Sequence, residues 1–224
     1  MESQDDAETA KGVQRQGWKQ DPVGVRSNIL EVALKEFADR GLSGARMDEI
    51  AAKTRTSKRM IYYYFGENDG LYHKVLEETY REVRTGEKEL MLDHLEPEQA
   101  LRRLTEFTFD HHSRHPDFIR IVMIENIHHG DYLKHSDLIR DLNQEAISRV
   151  ETIYDKGVAQ GVFREGLSPL SIHWMISALS FFNVSNRITF SLLFGNALHD
   201  KAGQSGLRSQ VADTVLLFVT KTPE

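Results

Sequence analysis

The chemistry-bearing residues of this chain concentrate between positions 46 and 65. The stretch Thr54-Arg55-Thr56-Ser57-Lys58-Arg59-Met60-Ile61-Tyr62-Tyr63-Tyr64-Phe65 sets hydroxyls, two guanidinium groups and an ammonium beside three consecutive tyrosines. Arg, Lys, Ser and Thr at a helix start are donors suited to phosphate oxygens and base edges. Residues 40–65 hold six basic side chains (Arg40, Arg46, Lys53, Arg55, Lys58, Arg59) and two acidic ones (Asp48, Glu49). That segment carries +4 against −10 on the remainder, which together give the −6 of the whole chain. A local basic patch on an acidic body fits a protein that meets DNA at one face and repels it elsewhere. The same charges would also suit a solvated helix face.

The elements around this stretch read as short helices. Ile29, Ala33 and Phe37 recur four apart, with Leu30 and Leu34 in the neighbouring row. Glu31, Lys35, Glu36 and Asp39 lie outside that stripe, which makes an amphipathic helix from about residue 26. Gly41 suits its end. A second helix is expected over about 47–54, with Ile50 and Ala51 inward and Asp48 and Glu49 near its N-terminus. Ser57 is a candidate N-cap for a third, over 58–65. Ile61 and Phe65, four apart, take the core side of that helix. At 100° per residue, Tyr62, Tyr63 and Tyr64 spread over about 200°, so at least two must be exposed. A support helix followed by two short helices and a tight turn reads as helix-turn-helix.

The remainder is helical as well. A long helix is expected over about 69–92, and Pro97 and Pro116 each start a further one, ending near His115 and Ile127. More helices are expected over 137–160, 169–194 and 207–221, the last after a glycine-rich stretch containing Gly195, Gly203 and Gly206. The expected class is all-α, with about nine helices and no strands. Residues 1–22 read as a flexible tail, in which Arg15 and Lys19 could form a basic arm. There is no cysteine, which excludes disulfides, thiol catalysis and Cys-ligated metal. The apolar patch around Trp174 to Val184 is too short and interrupted for a membrane span, and no signal-peptide pattern opens the chain. A soluble, cytoplasmic protein is expected.

From Ile29 to Leu76 the chain resembles the DNA-binding domain of the TetR family of bacterial regulators. The resemblance rests on Phe37 and Gly41, then Ile50-Ala51, Ser57, Ile61-Tyr62, Phe65 and Leu71-Tyr72 at the family's spacing. It implies a helix-turn-helix domain at 23–70, joined by a long helix to an effector-binding and dimerisation domain at 71–224. It implies a homodimer, formed through the last two helices, on a palindromic double-stranded operator. It also implies a repressor whose long fourth helix shifts when a small molecule binds, changing the separation of the two recognition helices. By family position Tyr62 and Tyr64 contact phosphate, while Lys58, Arg59 and Tyr63 read bases. Thr56 and Ser57 are placed to donate to phosphate from the helix start, and Arg46 to touch the backbone ahead of the second helix. The chain departs from the family pattern in three places. Ala45-Arg46 stand before the second helix, Arg55 replaces the turn glycine, and Asn68 replaces a phosphate-binding lysine for which Arg55 could compensate.

Polar residues within apolar helices are the effector candidates: Phe107, His111, Met123, Glu125, Trp174, Asn183 and Arg187. If Arg187 is buried in its apolar helix it needs a partner; Glu125 or an anionic ligand would serve, so an aromatic or anionic effector is expected. A structural ion pair or a place in an interface is the competing reading of Arg187. His111 and His115 are four apart, with His112 and His128 near in sequence, but the order HHSRH lacks the embedded Glu of HExxH. No metal and no cofactor are expected. GxSxG, GxxxxGK[ST] and GxGxxG are all absent, so no enzyme is expected. The alternatives are a ligand-independent or partner-regulated DNA-binding protein and, more remotely, a helical enzyme.

Overall fold

A computed structural model describes residues 21–221. Ten α-helices follow one another in it: α1 (Pro22–Gly44), α2 (Met47–Lys53), α3 (Lys58–Phe65), α4 (Asn68–Lys88), α5 (Pro97–Arg114), α6 (Pro116–Ile127), α7 (Asp137–Ala159), α8 (Pro169–Ser185), α9 (Arg187–Phe194) and α10 (Lys201–Val219). Among the described residues there is no strand. A single antiparallel bridge, Phe163 to Thr220, ties the α7–α8 connection to the end of α10.

Local sequence explains most of the boundaries. α1 starts inside the segment expected to be tail, because Asp21 caps it by accepting from the Gly24 N–H and Pro22 occupies its first turn. The rest of the expected tail, Arg15 and Lys19 included, lies outside the described residues. The helical path of α1 breaks at Gly41, whose φ of 70° and ψ of 173° suit a residue without a Cβ. α4 ends at Lys88, before the expected 92, and Met91 adopts a left-handed φ of 52° ahead of a 3₁₀ turn over Leu92–His94.

Two expectations in the C-terminal part are corrected. The single helix expected over 169–194 is two helices, broken at Asn186 (φ −104°, ψ 4°), and this gives the tenth helix. Asn offers the backbone competing hydrogen bonds and often interrupts helices. The last helix starts at Lys201, capped by Asp200 through the Gly203 N–H. Gly203 is therefore helical and serves close approach: a β-carbon there would lie 2.0 Å from the Ala197 carbonyl oxygen.

Three apolar clusters hold the molecule together. Ile29, Ala33 and Phe37 of α1 meet Ile50, Ile61 and Phe65 of α2 and α3, and Leu71, Tyr72, Val75 and Leu76 of α4. Ile121 of α6 and Ile139 of α7 join this same cluster, so the helix-turn-helix packs directly on the body. A second cluster joins α5, α7, α8 and α10 around Leu101, Ile153, Phe163, Ile176 and Val215. A third, smaller one gathers Val83, Phe118 and Ile119. No helix among the described residues is long and apolar enough to cross a membrane.

Candidate nucleic-acid interface and ligand cavity

The surface built by α2 and α3 follows from where their apolar residues point. Ile61 and Phe65 are buried and fix the rotation of α3. Tyr63 is then 77 % exposed and Tyr62 42 %. Arg46 and Arg59 are exposed, and Ser57 caps α3 by accepting from the Met60 N–H. Tyr64 departs from the expectation of a DNA-facing ring. It is half-buried against the domain core, its ring edge-on to Tyr63, with the Arg26 guanidinium 5.9 Å from its centroid.

The basic patch is partly neutralised by folding. Glu36, which the sequence count of 40–65 left out, is buried and receives both Arg40 (2.8 Å) and Lys53. The Lys53 hydrogen bond, with Arg40 behind it, holds the Glu36 carboxyl below its usual range despite burial. Arg40 also reaches Glu49 at 2.9 Å. Lys58 pairs with Asp48 at 2.7 Å, and that hydrogen bond raises the ammonium pKa.

The turn residues that depart from the family pattern have local roles. Met91 and His129 are the non-glycine residues with positive φ among those described, so Arg55 makes its turn without the left-handed conformation a glycine would allow. The Arg55 N–H donates to Asn28 Oδ1 at 3.3 Å, which ties the turn, with Thr56 behind it, to α1. Asn68 donates from Nδ2 to the Leu42 carbonyl at 3.3 Å, anchoring the start of α4.

The body holds a half-open cavity of about 330 Å³ between α4, α5, α6, α7 and α8. Its walls are aromatic at Tyr80, Phe118, Trp174 and Phe181. Its charged and imidazole groups are Arg84 and Glu87 of α4, His112 of α5 and His173 of α8, and Thr108, Asn126, Asn143 and Ser177 add neutral polar groups. Arg84 pairs with Glu87 and donates to Asn143 Oδ1 at 3.0 Å, while its Nε is buried without a partner. Burial, with Arg84 nearby, lowers the pKa of both His112 and His173 to about 4. Both rings are neutral at pH 7. This size and lining, apolar walls with a few convergent polar groups, are those of a small-molecule site.

The expected effector residues divide on this geometry. Trp174 lines the cavity, 69 % exposed. Phe107 packs instead against Gly86, and Met123 against the Val83–Phe118–Ile119 cluster. His111 is buried beside the cavity, stacked on His115 at 4.3 Å, and burial lowers its pKa to about 3. Asn183 is taken up in a mutual amide pair with Gln204 (3.0 and 2.9 Å).

The expected Arg187–Glu125 pair is not formed. Arg187 opens α9, is exposed, and donates to the His199 carbonyl at 3.2 Å. Glu125 is 1 % exposed and accepts the backbone N–H groups of Tyr132 and Leu133 at 3.2 and 3.1 Å. It braces the turn after α6, beside Tyr72, whose hydroxyl pKa is raised by burial and then by the Glu125 charge. Among the described residues no three His, Asp or Glu side chains converge in a way that would hold a metal ion.

Two family models match this chain. The model described as bacterial regulatory proteins, tetR family, covers residues 29–75, which include all of α2 and α3. The one described as tetracyclin repressor-like, C-terminal domain, covers 97–215. The HTH-type transcriptional repressor NicS of Pseudomonas putida is 37 % identical over 85 % of this chain and 90 % of its own length. The HTH-type transcriptional repressor SCO4008 of Streptomyces coelicolor is 28 % identical over 85 % and 93 %. The transcriptional regulator FadR from Bacillus subtilis, solved in complex with stearoyl-CoA, superposes with a TM-score of 0.65 at 15 % identity, over 85 % of this chain and 97 % of its own.

Proposed function

Since this chain belongs to the TetR family of bacterial transcriptional regulators, we propose that it is a sequence-specific DNA-binding repressor released from its operator by a small molecule. Two relatives that match most of their length are named as repressors, which supports that sign of regulation. The observation that carries the reading is α3: two buried apolar residues fix it, and Arg59, Tyr62 and Tyr63 remain exposed on one side. Such a helix suits the major groove, with its first turn at the base edges. Lys58, Arg59 and Tyr63 are assigned to base edges. Arg46, Arg55, Thr56, Ser57 and Tyr62 are assigned to phosphates, and Tyr64 to packing.

The operator is taken to be palindromic and the protein a homodimer that joins through α8 and α9, which divide the segment expected as one helix, and α10. Phe182 and Leu217, exposed on those helices at 53 % and 78 %, support that face. The functional division is drawn at residues 23–70 and 71–224, with α4 running from one part into the other.

The effector is assigned to the 330 Å³ cavity. Its volume supports a ligand-controlled protein over a ligand-independent one. Arg84 and Glu87 offset one another and the two histidines are neutral, so the lining carries no net charge at pH 7. The aromatic class of effector is therefore favoured over the anionic one. Binding there would press on Phe118 and Val122 of α6, whose other face, at Ile121, belongs to the helix-turn-helix cluster. The ligand would thereby favour one arrangement of the DNA-binding domains over the other.

The test is selection of genomic fragments on the full-length protein, followed by anisotropy titration of the winners with excess nonspecific competitor. Saturable binding of two protomers or a multiple to a shared palindrome is expected. Binding that competitor abolishes for every fragment would overturn the reading.

A further inference from the structure

A second, half-open cavity lies on the far side of α8 from the first, lined by α5, α8, α9, the α9–α10 connection and α10, with Phe182 of the face assigned to the homodimer at its rim. Its volume is about 200 Å³, and its walls include Phe109, Phe182, Phe190, Leu198 and Val211. No charged side chain lines it. Dry apolar cavities of about 150 Å³ are known to take benzene. A volume of 200 Å³ accommodates a ring with a short substituent.

One polar atom in this lining has nothing to bond to. Asn183 is satisfied by Gln204 and Ser113. His199 is 7 % exposed, and its Nε2 is buried without a hydrogen-bond partner. The orientation of Gln204 fixes which nitrogen of His199 carries the proton. Gln204 Nε2 gives its two hydrogens to the Leu198 carbonyl and Asn183 Oδ1, both at 2.9 Å, and this amide nitrogen, which cannot accept, lies 3.4 Å from His199 Nδ1. A hydrogen on Nδ1 would point at that amino group with nothing to receive it, so the favoured tautomer leaves Nδ1 bare and puts the hydrogen on Nε2. A buried donor left unpaired is unfavourable, and an acceptor delivered to it is correspondingly favoured.

We propose that the cavity between α8, α9 and α10 is a second small-molecule site, for a neutral ring-sized compound with one hydrogen-bond acceptor held by His199 Nε2. The site is separate from the α4–α8 cavity, and its existence does not depend on the effector assignment there. A leucine or phenylalanine from a second copy would fill the same space but leave the Nε2 hydrogen unpaired, so the acceptor-bearing compound is the better fit.

The probes are 4-fluoroacetophenone and its oxygen-free counterpart 4-fluoroethylbenzene, titrated against the full-length protein by fluorine NMR. Saturable binding of both is expected, with the ketone tighter. His199→Phe should weaken the ketone about tenfold and leave the hydrocarbon unchanged, while His199→Gln, which keeps a donor, should retain most ketone binding. Leu207→Trp, which projects into this cavity, should abolish both. Ala178→Phe, which fills the other cavity, should alter neither. Circular dichroism and thermal melting confirm that each variant is folded, and a variant that is not is replaced by Val211→Phe as the filling substitution. Failure of either probe to saturate the wild type overturns the proposal. So does a His199→Phe effect equal for both probes, or loss of binding in Ala178→Phe with retention in the filled variant. Failure of DNA binding in the preceding test would leave these results standing, so the two readings fail separately.

Discussion

Lys58 Nζ lies 2.7 Å from Asp48 Oδ1, so the first cation of the recognition helix is tethered to the helix before it. DNA bound as proposed would have to draw Lys58 away from a carboxylate on the same face. The pair is solvent-exposed, and such pairs are worth little in stability. Its consequence lies in binding. Asp48→Asn should tighten binding to the operator about threefold at low salt. Lys58→Ala should weaken binding more on the operator than on an unrelated duplex, because the base reading assigned to it is lost. Salt-series anisotropy on the operator and an unrelated duplex checks both. A weaker Asp48→Asn protein would contradict the tether.

The dimer assignment predicts a sharp effect from a surface change. Phe182 is half exposed in the protomer and Leu217 more so. Phe182→Asp should therefore leave the protomer folded yet make it monomeric in light scattering at micromolar concentration. Operator affinity should fall with it, because two half-sites would no longer be bound by one particle. A Phe182→Asp protein that remains dimeric would place the interface elsewhere.

The buried histidines set an acid limit on stability. His111 has its pKa lowered from 6.5 to about 3, and His112 and His173 from 6.5 to about 4. In each case burial is the leading cause. Below about pH 6.5 the unfolded chain takes up protons that the folded chain refuses, so stability rises with pH across this window. Melting temperature should be level above pH 7 and fall steadily from pH 6.5 towards pH 4. His112→Phe should make that fall shallower. A melting temperature flat between pH 7 and pH 4.5 would show these rings to be solvated.

Ala178 lines the larger cavity on α8. Ala178→Phe places a ring into the space assigned to the effector. It should retain operator binding while losing the response to any compound that releases the wild type. Release in the variant at the wild-type concentration would move the effector site out of this cavity.

The helix-turn-helix is legible in sequence because its signals are local. The four-residue spacing of Ile29, Ala33 and Phe37, the stop at Gly41 and the cap at Ser57 all act within one or two turns. The ligand cavity is not legible in that way. Arg84, His112, Asn143 and His173 come from four helices and meet only after packing. The i, i+3 spacing of Arg84 and Glu87 was a usable signal, since two opposite charges on the inner face of a helix mark a site that needs them. Arg187 misled because apolar residues resume at Ile188, so that Ser185-Asn186-Arg187 read as polar positions within one helix, not as its end. The helix breaks there all the same, leaving Arg187 exposed at the start of α9. Glu125 misled for the opposite reason: the left-handed His129 and Gly130 turn the chain back, so that backbone N–H groups, not a cation, meet its carboxylate.

The central claim is that α3 reads DNA through Arg59 and Tyr63. The measurement that tests it most directly is anisotropy with the selected operator and with single-base variants of it, for the wild type, Arg59→Ala and Tyr63→Ala. Each substitution should cost about 1–3 kcal/mol on the operator and flatten discrimination at one position in each half-site, with the melting temperature unchanged. Both side chains are exposed, so loss of fold does not confuse the result. Unchanged affinity and unchanged base preference in both variants would contradict the account.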